Sequence, residues 1–300
     1  MSTVQVQQIE TSFLKDFAAL TKVRLAVSVL FSAIAGYILG ADTLNIVNLI
    51  ILSVGGYCMV GASNAFNQVI EKDLDKLMER TKDRPLPAGR FSVNLALTIA
   101  VVLTLLGLVC LYYLSPKACM FGAISIFCYV SLYTPLKTKT PLAVFVGAIP
   151  GAIPFMLGWV AATDDFGIEP GTLFMIQFFW QFPHFWAIGW FLYDDYKRGG
   201  FFMLPTGKRD TATAVQVIIY TVWTILCSLI PVFGKTGELH ITIYSGVLVL
   251  LLGLWMLYKA IVLYKERTSE AAKKLMLVSV MYISALQIIY VADKFISQWI

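Results

Sequence analysis

Asn67, Glu71 and Asp75 recur at i, i+4 and i+8 within a segment, Asn64 to Arg90, that carries five acids and six bases directly after a long apolar run. In a helix this spacing stacks three oxygen-bearing side chains along one stripe, roughly 6 Å per step. Such a stripe suits a hard divalent cation, because magnesium prefers one or two carboxylates plus phosphate oxygens to an all-protein cage. Arg80 and Arg84, again four apart, are spaced to hold the remainder of a phosphate cluster. The plainer alternative is a solvated helix face whose charges neutralise one another. It loses ground here because the segment leaves a hydrophobic span.

A second segment has the same character. From Gln181 to Pro205 an aromatic run ends in Asp194, Asp195, Lys197 and Arg198 before Gly199 and Gly200 break any helix. Two acidic loops on one membrane face can converge over the mouth of one helix bundle, supplying carboxylates for metal and bases for phosphate. His184, one of two histidines, lies inside an apolar span, where an ionisable group is costly enough to be read as functional. Eleven residues separate it from Asp195, about three turns, so an unbroken helix would turn both to one face roughly 16 Å apart. Packing across helices is the competing role for His184.

These residues need elements to carry them, and the composition says which. Hydrophobic residues make up 58% of the 300 and charged residues 14%, with mean hydropathy +0.76, which places the chain outside soluble domains. Apolar runs long enough to cross a bilayer fall near 25–41, 45–66, 93–114, 118–135, 141–162, 171–192, 213–233, 240–263 and 275–296. The expectation is therefore an all-α, polytopic protein of nine transmembrane helices. Residues 1–24 form a cytoplasmic segment and 25–300 a single membrane domain. Of the 23 Lys and Arg residues, 20 flank the spans on one side, leaving Lys117, Lys235 and Lys294 for the other. The positive-inside rule puts that richer side, and the N-terminus, in the cytoplasm. The net charge of +5 is thus a topology signal and not a nucleic-acid footprint. The first 24 residues lack the apolar core of a signal peptide, and a bacterial inner membrane is the simplest location. The five cysteines show no metal-binding spacing and read as small buried hydrophobes.

An allylic diphosphate fits carboxylates and bases at the mouth of an apolar bundle. Its leaving group departs only when metal and cationic side chains stabilise the charge, and its isoprenoid tail accounts for the membrane. The allylic cation then needs an electron-rich acceptor in a dry, aromatic pocket.

The stripe followed by Met78, Arg80, Thr81, Arg84, Pro85 and Leu86, with Thr21 to Arg24 before it, resembles the intramembrane prenyltransferases of the UbiA superfamily. Tyr133 to Pro141, Gly147 to Trp159, Pro183 to Trp186 and Asp194 to Pro205 extend the likeness, closest to the branch that prenylates haem. The resemblance implies a nine-helix bundle with a central cavity opening to the cytoplasmic side. It implies farnesyl diphosphate, haem B and water as substrates, and haem O and diphosphate as products. It places Asn67, Glu71 and Asp75 around Mg2+, with Asp195 and Asp194 as the second acidic element. Arg80, Arg84, Lys197 and Arg198 would bind phosphate, and His184 would contact haem. A haem A synthase or a terminal oxidase assembly is the physical partner implied. Two residues depart from the family pattern: Glu71 stands where Asp is common, and Val23 replaces a proline of the TKPR motif. A quinone-type aromatic prenyltransferase differs at the acceptor end. A secondary transporter would show paired interrupted helices, which are not evident.

Overall fold

The computed structural model describes residues 12–296, and all regular elements among them are helical. A short α1 (Phe13–Thr21), capped by Ser12, precedes α2 (Val23–Gly40), α3 (Ile46–Ile70) and the single turn α4 (Lys72–Asp75). Then come α5 (Val93–Leu114) and α6 (Pro116–Phe127), the latter passing through a π segment (Cys128–Tyr133) into α7 (Thr134–Leu136). The chain continues as α8 (Ala143–Thr163), α9 (Ile168–Phe191), α10 (Tyr193–Arg198) and α11 (Thr211–Leu229). It ends with α12 (Ile243–Glu266) and α13 (Ser269–Ile296). Asn45, Ser92, Ser115, Asp210 and Thr242 start their helices by accepting backbone N–H groups that would otherwise lack partners.

Among the described residues eight helices are long and apolar enough to cross a membrane, one fewer than expected. The missing member is α9. It is 24 residues long, but Gln177, Gln181, His184 and two prolines lower its hydropathy, and 12 of its residues are buried against neighbours. It packs on α8, α11 and α13, so its polar groups face protein. The chain is an integral multi-pass membrane protein.

Small residues bring the inner helices together. A Cβ on Gly158 of α8 would stand 1.9 Å from the Ala33 carbonyl of α2, and one on Gly36 would stand 2.0 Å from the Phe155 carbonyl. Such backbone approach is how helices gain contact in lipid, where no hydrophobic drive separates them from acyl chains. Residues 1–11 lie outside the described part. Residues 12–21 fold back on α3, with Leu20 fully buried and Asp16 bonded to Arg90 Nε at 3.0 Å.

Candidate active site

The stripe of Asn67, Glu71 and Asp75 does not lie on one continuous helix. At Glu71 the backbone leaves the helical region (φ −93°, ψ 7°), yet the i to i−4 bonds persist from Glu71 N to Asn67 O and from Asp75 N to Glu71 O. All three side chains therefore still line one cavity of about 480 Å³, walled by α2, α3, the π segment, α8 and α9.

Each of the three has a buried oxygen without a hydrogen-bond donor: Asn67 Oδ1, Glu71 Oε1 and Asp75 Oδ1. Their other atoms are committed. Asn67 Nδ2 donates to Thr134 Oγ1 (3.2 Å), and Arg84 donates to Asp75 Oδ2 (2.7 Å). Glu71 Oε1 lies 2.8 Å from Lys137 Nζ, in ion-pair range but without hydrogen-bond alignment. Leaving a buried acceptor unpaired costs about 1–3 kcal/mol, so the Asn67 and Asp75 oxygens, beside a Glu71 oxygen held only by its ion pair, call for an occupant. Two carboxylates and an amide oxygen form a hard donor set of the kind that holds magnesium with phosphate oxygens filling the remaining positions. Among the described residues no three His, Cys, Asp or Glu side chains cluster as a self-sufficient metal site, so those further oxygens must come from elsewhere. Asn64, one turn back on α3, presents a fourth orphaned oxygen to the same cavity.

Four cations face these acids: Lys22, Arg80, Arg84 and Lys137, against two carboxylates. That surplus suits a polyanion. Burial, then the nearby Arg84 and Lys137, pushes the Lys22 ammonium well below the usual lysine range. Lys22 sits between α1 and α2 in the left-handed backbone region (φ 49°), and α2 begins at Val23, the first-turn position that suits proline and tolerates valine. Neither Lys22 nor Lys137 stands out in the sequence, because a lysine at a span end also serves as a topology charge. Only the fold turns them inward.

The π segment presents Tyr129 and Tyr133 to the cavity, with ring centroids 5.2 Å apart. π-turns inside α-helices often mark functional sites, and this one brings two aromatic rings to the cavity wall.

The second acidic loop meets the first, but in another role. Asp195 accepts hydrogen bonds from the backbone N–H groups of Glu79 (2.8 Å) and Arg80 (3.3 Å) and from Arg198 (2.6 Å), and it does not line the cavity. Phe202 N donates to Lys137 O at 2.7 Å, which ties the second acidic loop to the end of α7. Asp194 is exposed and paired with Arg209, while Lys197 and Arg198 are exposed on α10. The chain bends at Leu192 between α9 and α10, so His184 and Asp195 do not share an unbroken helix. His184 bonds Ser279 Oγ of α13 through Nδ1 (2.9 Å) and stacks on Trp180, outside the cavity lining.

This fold and its cavity define a class. Residues 29–286 match the UbiA prenyltransferase family, and the chain belongs to it. Over 300 residues, spanning both chains completely, it is 69% identical to the protoheme IX farnesyltransferase of Christiangramia forsetii. It is 62% identical over 299 residues to that of Flavobacterium psychrophilum, covering 99% of this chain and all of the relative. Among solved structures it resembles a digeranylgeranylglyceryl phosphate synthase (TM-score 0.77, 18% identity, covering 93% of this chain and 98% of that one). It also resembles a UbiA homologue from Archaeoglobus fulgidus bound to GPP and Mg2+ (TM-score 0.71, 13% identity, covering 92% and 99%). These structural likenesses carry the fold.

Proposed function

We propose that this protein transfers the farnesyl group of farnesyl diphosphate to a vinyl group of haem B, with addition of water, giving haem O and diphosphate. Full-length identity of 69% to a protoheme IX farnesyltransferase is the observation that carries the reading. The cavity supplies the chemistry. Asn67, Glu71 and Asp75 would hold magnesium through Asn67 Oδ1, Asp75 Oδ1 and the Glu71 carboxylate. The metal, when bound, would supply neutralisation of the charge on a departing diphosphate. Arg80 and Arg84, joined by Lys22 and Lys137, bind the phosphate oxygens. Lys197 and Arg198, exposed on α10, would attract an arriving diphosphate, while Asp194 is paired with Arg209. Asp195 acts on the site through the Glu79–Arg80 backbone that it holds. His184 lies one turn from cavity-lining Gln181 and beside Phe185, so a porphyrin entering along α9 comes within its reach. The protein lies in a bacterial inner membrane with its N-terminus in the cytoplasm, and a haem A synthase or a terminal oxidase receives its product.

The deciding experiment is mass analysis of haem extracted from purified protein in lipid after incubation with haem B, farnesyl diphosphate and magnesium. A magnesium-dependent gain of one farnesyl group and one water supports the reading, with no gain in chelator or in the Asp75→Asn variant. Unmodified haem beside a prenylated quinone precursor would overturn the acceptor, and solute uptake into vesicles without any product would overturn the reaction.

A further inference from the structure

The metal and phosphate groups lie at helix ends, but one polar place lies at mid-helix on the α8–α9 wall. Gln181 is ten residues, roughly 15 Å of helix, from the Phe191 end of α9. It lines the cavity and is 2% exposed. Its Nε2 donates to Ala148 O (2.9 Å) and Gln177 O (3.3 Å). Two carbonyl acceptors fix the amide, since flipping it would set oxygen against oxygen. The donors are thereby used, and Oε1 accepts no hydrogen bond from the described residues. Gly151 leaves that oxygen its room, because a Cβ there would stand 2.0 Å from it.

Pro150, the neighbour of Gly151 on the same wall, supplies a second acceptor. Pro154 has no N–H, so the Pro150 carbonyl loses its regular i+4 donor, and Ser125 Oγ makes a long contact with it (3.4 Å). Val144, Gly147, Pro154 and Phe185 make the rest of this wall apolar. Two acceptors and a hydroxyl meet the two to four polar partners that a buried water requires.

We infer that Gln181 Oε1 and the Pro150 carbonyl hold the water that the reaction consumes, an inference that rests on the farnesyl transfer proposed above. In that reaction the outer vinyl carbon of haem bonds to the farnesyl C1 as the C1–O bond breaks, its electron pair leaving on diphosphate. The inner vinyl carbon is then cationic. A water that donates both hydrogens to two acceptors keeps a lone pair free, and its oxygen bonds to that carbon. The proton released ends on the departed diphosphate, a stronger base than either amide oxygen. Without a held water the same cation loses a proton from the adjacent CH2 and gives a further side-chain alkene, a product lighter than haem O by one water. The fate of the cation, hydration or elimination, is set at Gln181.

Replacing Gln181 by Met keeps the volume and removes the acceptor. The ratio of dehydrated alkene to haem O in the extracted product should rise about tenfold, equivalent to ~1.4 kcal/mol, the upper range of one hydrogen bond. Gln181→Glu keeps an acceptor and should retain the hydrated product. Gly151→Ala, which displaces Oε1 without altering the amide, should raise the ratio in the same direction and decides the matter if Gln181→Met does not fold. Slower turnover with a fully hydrated product in Gln181→Met and Gly151→Ala would make Gln181 a packing residue and overturn the inference. Absence of any farnesylated haem from the unsubstituted protein would instead overturn the reaction itself.

Discussion

Lys22 shows how far a single residue's chemistry depends on where the fold puts it. In the sequence it is one of three bases before the first span, and its neighbours in Thr21 to Arg24 support a family resemblance without assigning it a task. In the fold it lines the cavity, and burial plus Arg84 and Lys137 lower its pKa. An arriving diphosphate reverses the balance, since an anion favours the charged ammonium. Binding should then take up a proton wherever the pH lies between the lowered pKa of the empty site and the raised pKa of the filled one. Because the bound state carries more protons, affinity must fall as pH rises through that window. Titration calorimetry with farnesyl diphosphate in two buffers of different ionisation enthalpy measures this directly. A buffer-dependent heat that disappears in Lys22→Met is the expected outcome, and an identical heat in both buffers would leave Lys22 uninvolved. The acids were more legible than the bases. Oxygen-bearing side chains at i, i+4, i+8, two of them carboxylates, have few other uses beside a membrane, whereas a lysine at a span end is what topology alone would place there.

At the scale of elements, the two acidic loops were expected to converge, and the hydrogen bonds from Glu79 and Arg80 to Asp195 join them. Periodicity could not say which way the carboxylate points, so Asp195 read like a metal ligand while its oxygens hold backbone donors. Nor could it show the turn at Glu71 or the bend at Leu192, which are set by tertiary contacts. The clamp has an electrostatic signature. Burial raises the Asp195 carboxyl, but Arg198 and the two backbone donors outweigh it and hold the group below its usual range. A carboxylate depressed in the folded state stabilises it above the unfolded pKa, and that contribution is lost as pH falls through the folded one. Asp195→Ala should therefore lower thermal stability at neutral pH by about 1–3 kcal/mol, with a deficit that shrinks on acidification. It should also raise KM for the diphosphate more than it lowers kcat, because Arg80 loses its anchored backbone. A large fall in kcat at unchanged KM would instead place Asp195 on the metal.

For the whole molecule the open count is eight spans or nine, and the difference lies in α9. Hydropathy measures what a helix would cost against lipid, but α9 is sheathed by α8, α11 and α13. Several of its polar groups find partners there. Gln177 accepts from Gln287, which also bonds Ser32, while Gln181 reaches Ala148 O and both His184 and Trp180 reach Ser279. Polar side chains satisfied by neighbouring helices can lie at membrane depth. At 1.5 Å per residue, 24 residues give roughly 36 Å, enough to cross a hydrocarbon core of about 30 Å. Apolar run length alone picks out 171–192 as a span, whereas mean hydropathy leaves it out, because that helix carries polar groups toward its neighbours and the cavity. With α9 spanning, the two ends of the chain are expected on opposite sides, the beginning in the cytoplasm if the Lys/Arg excess sets the orientation. Reporter fusions at each end, one active only in the cytoplasm and one only outside it, should give opposite answers. Both ends on one side would remove α9 from the spanning set, and with it the mid-membrane setting of Gln181 and His184.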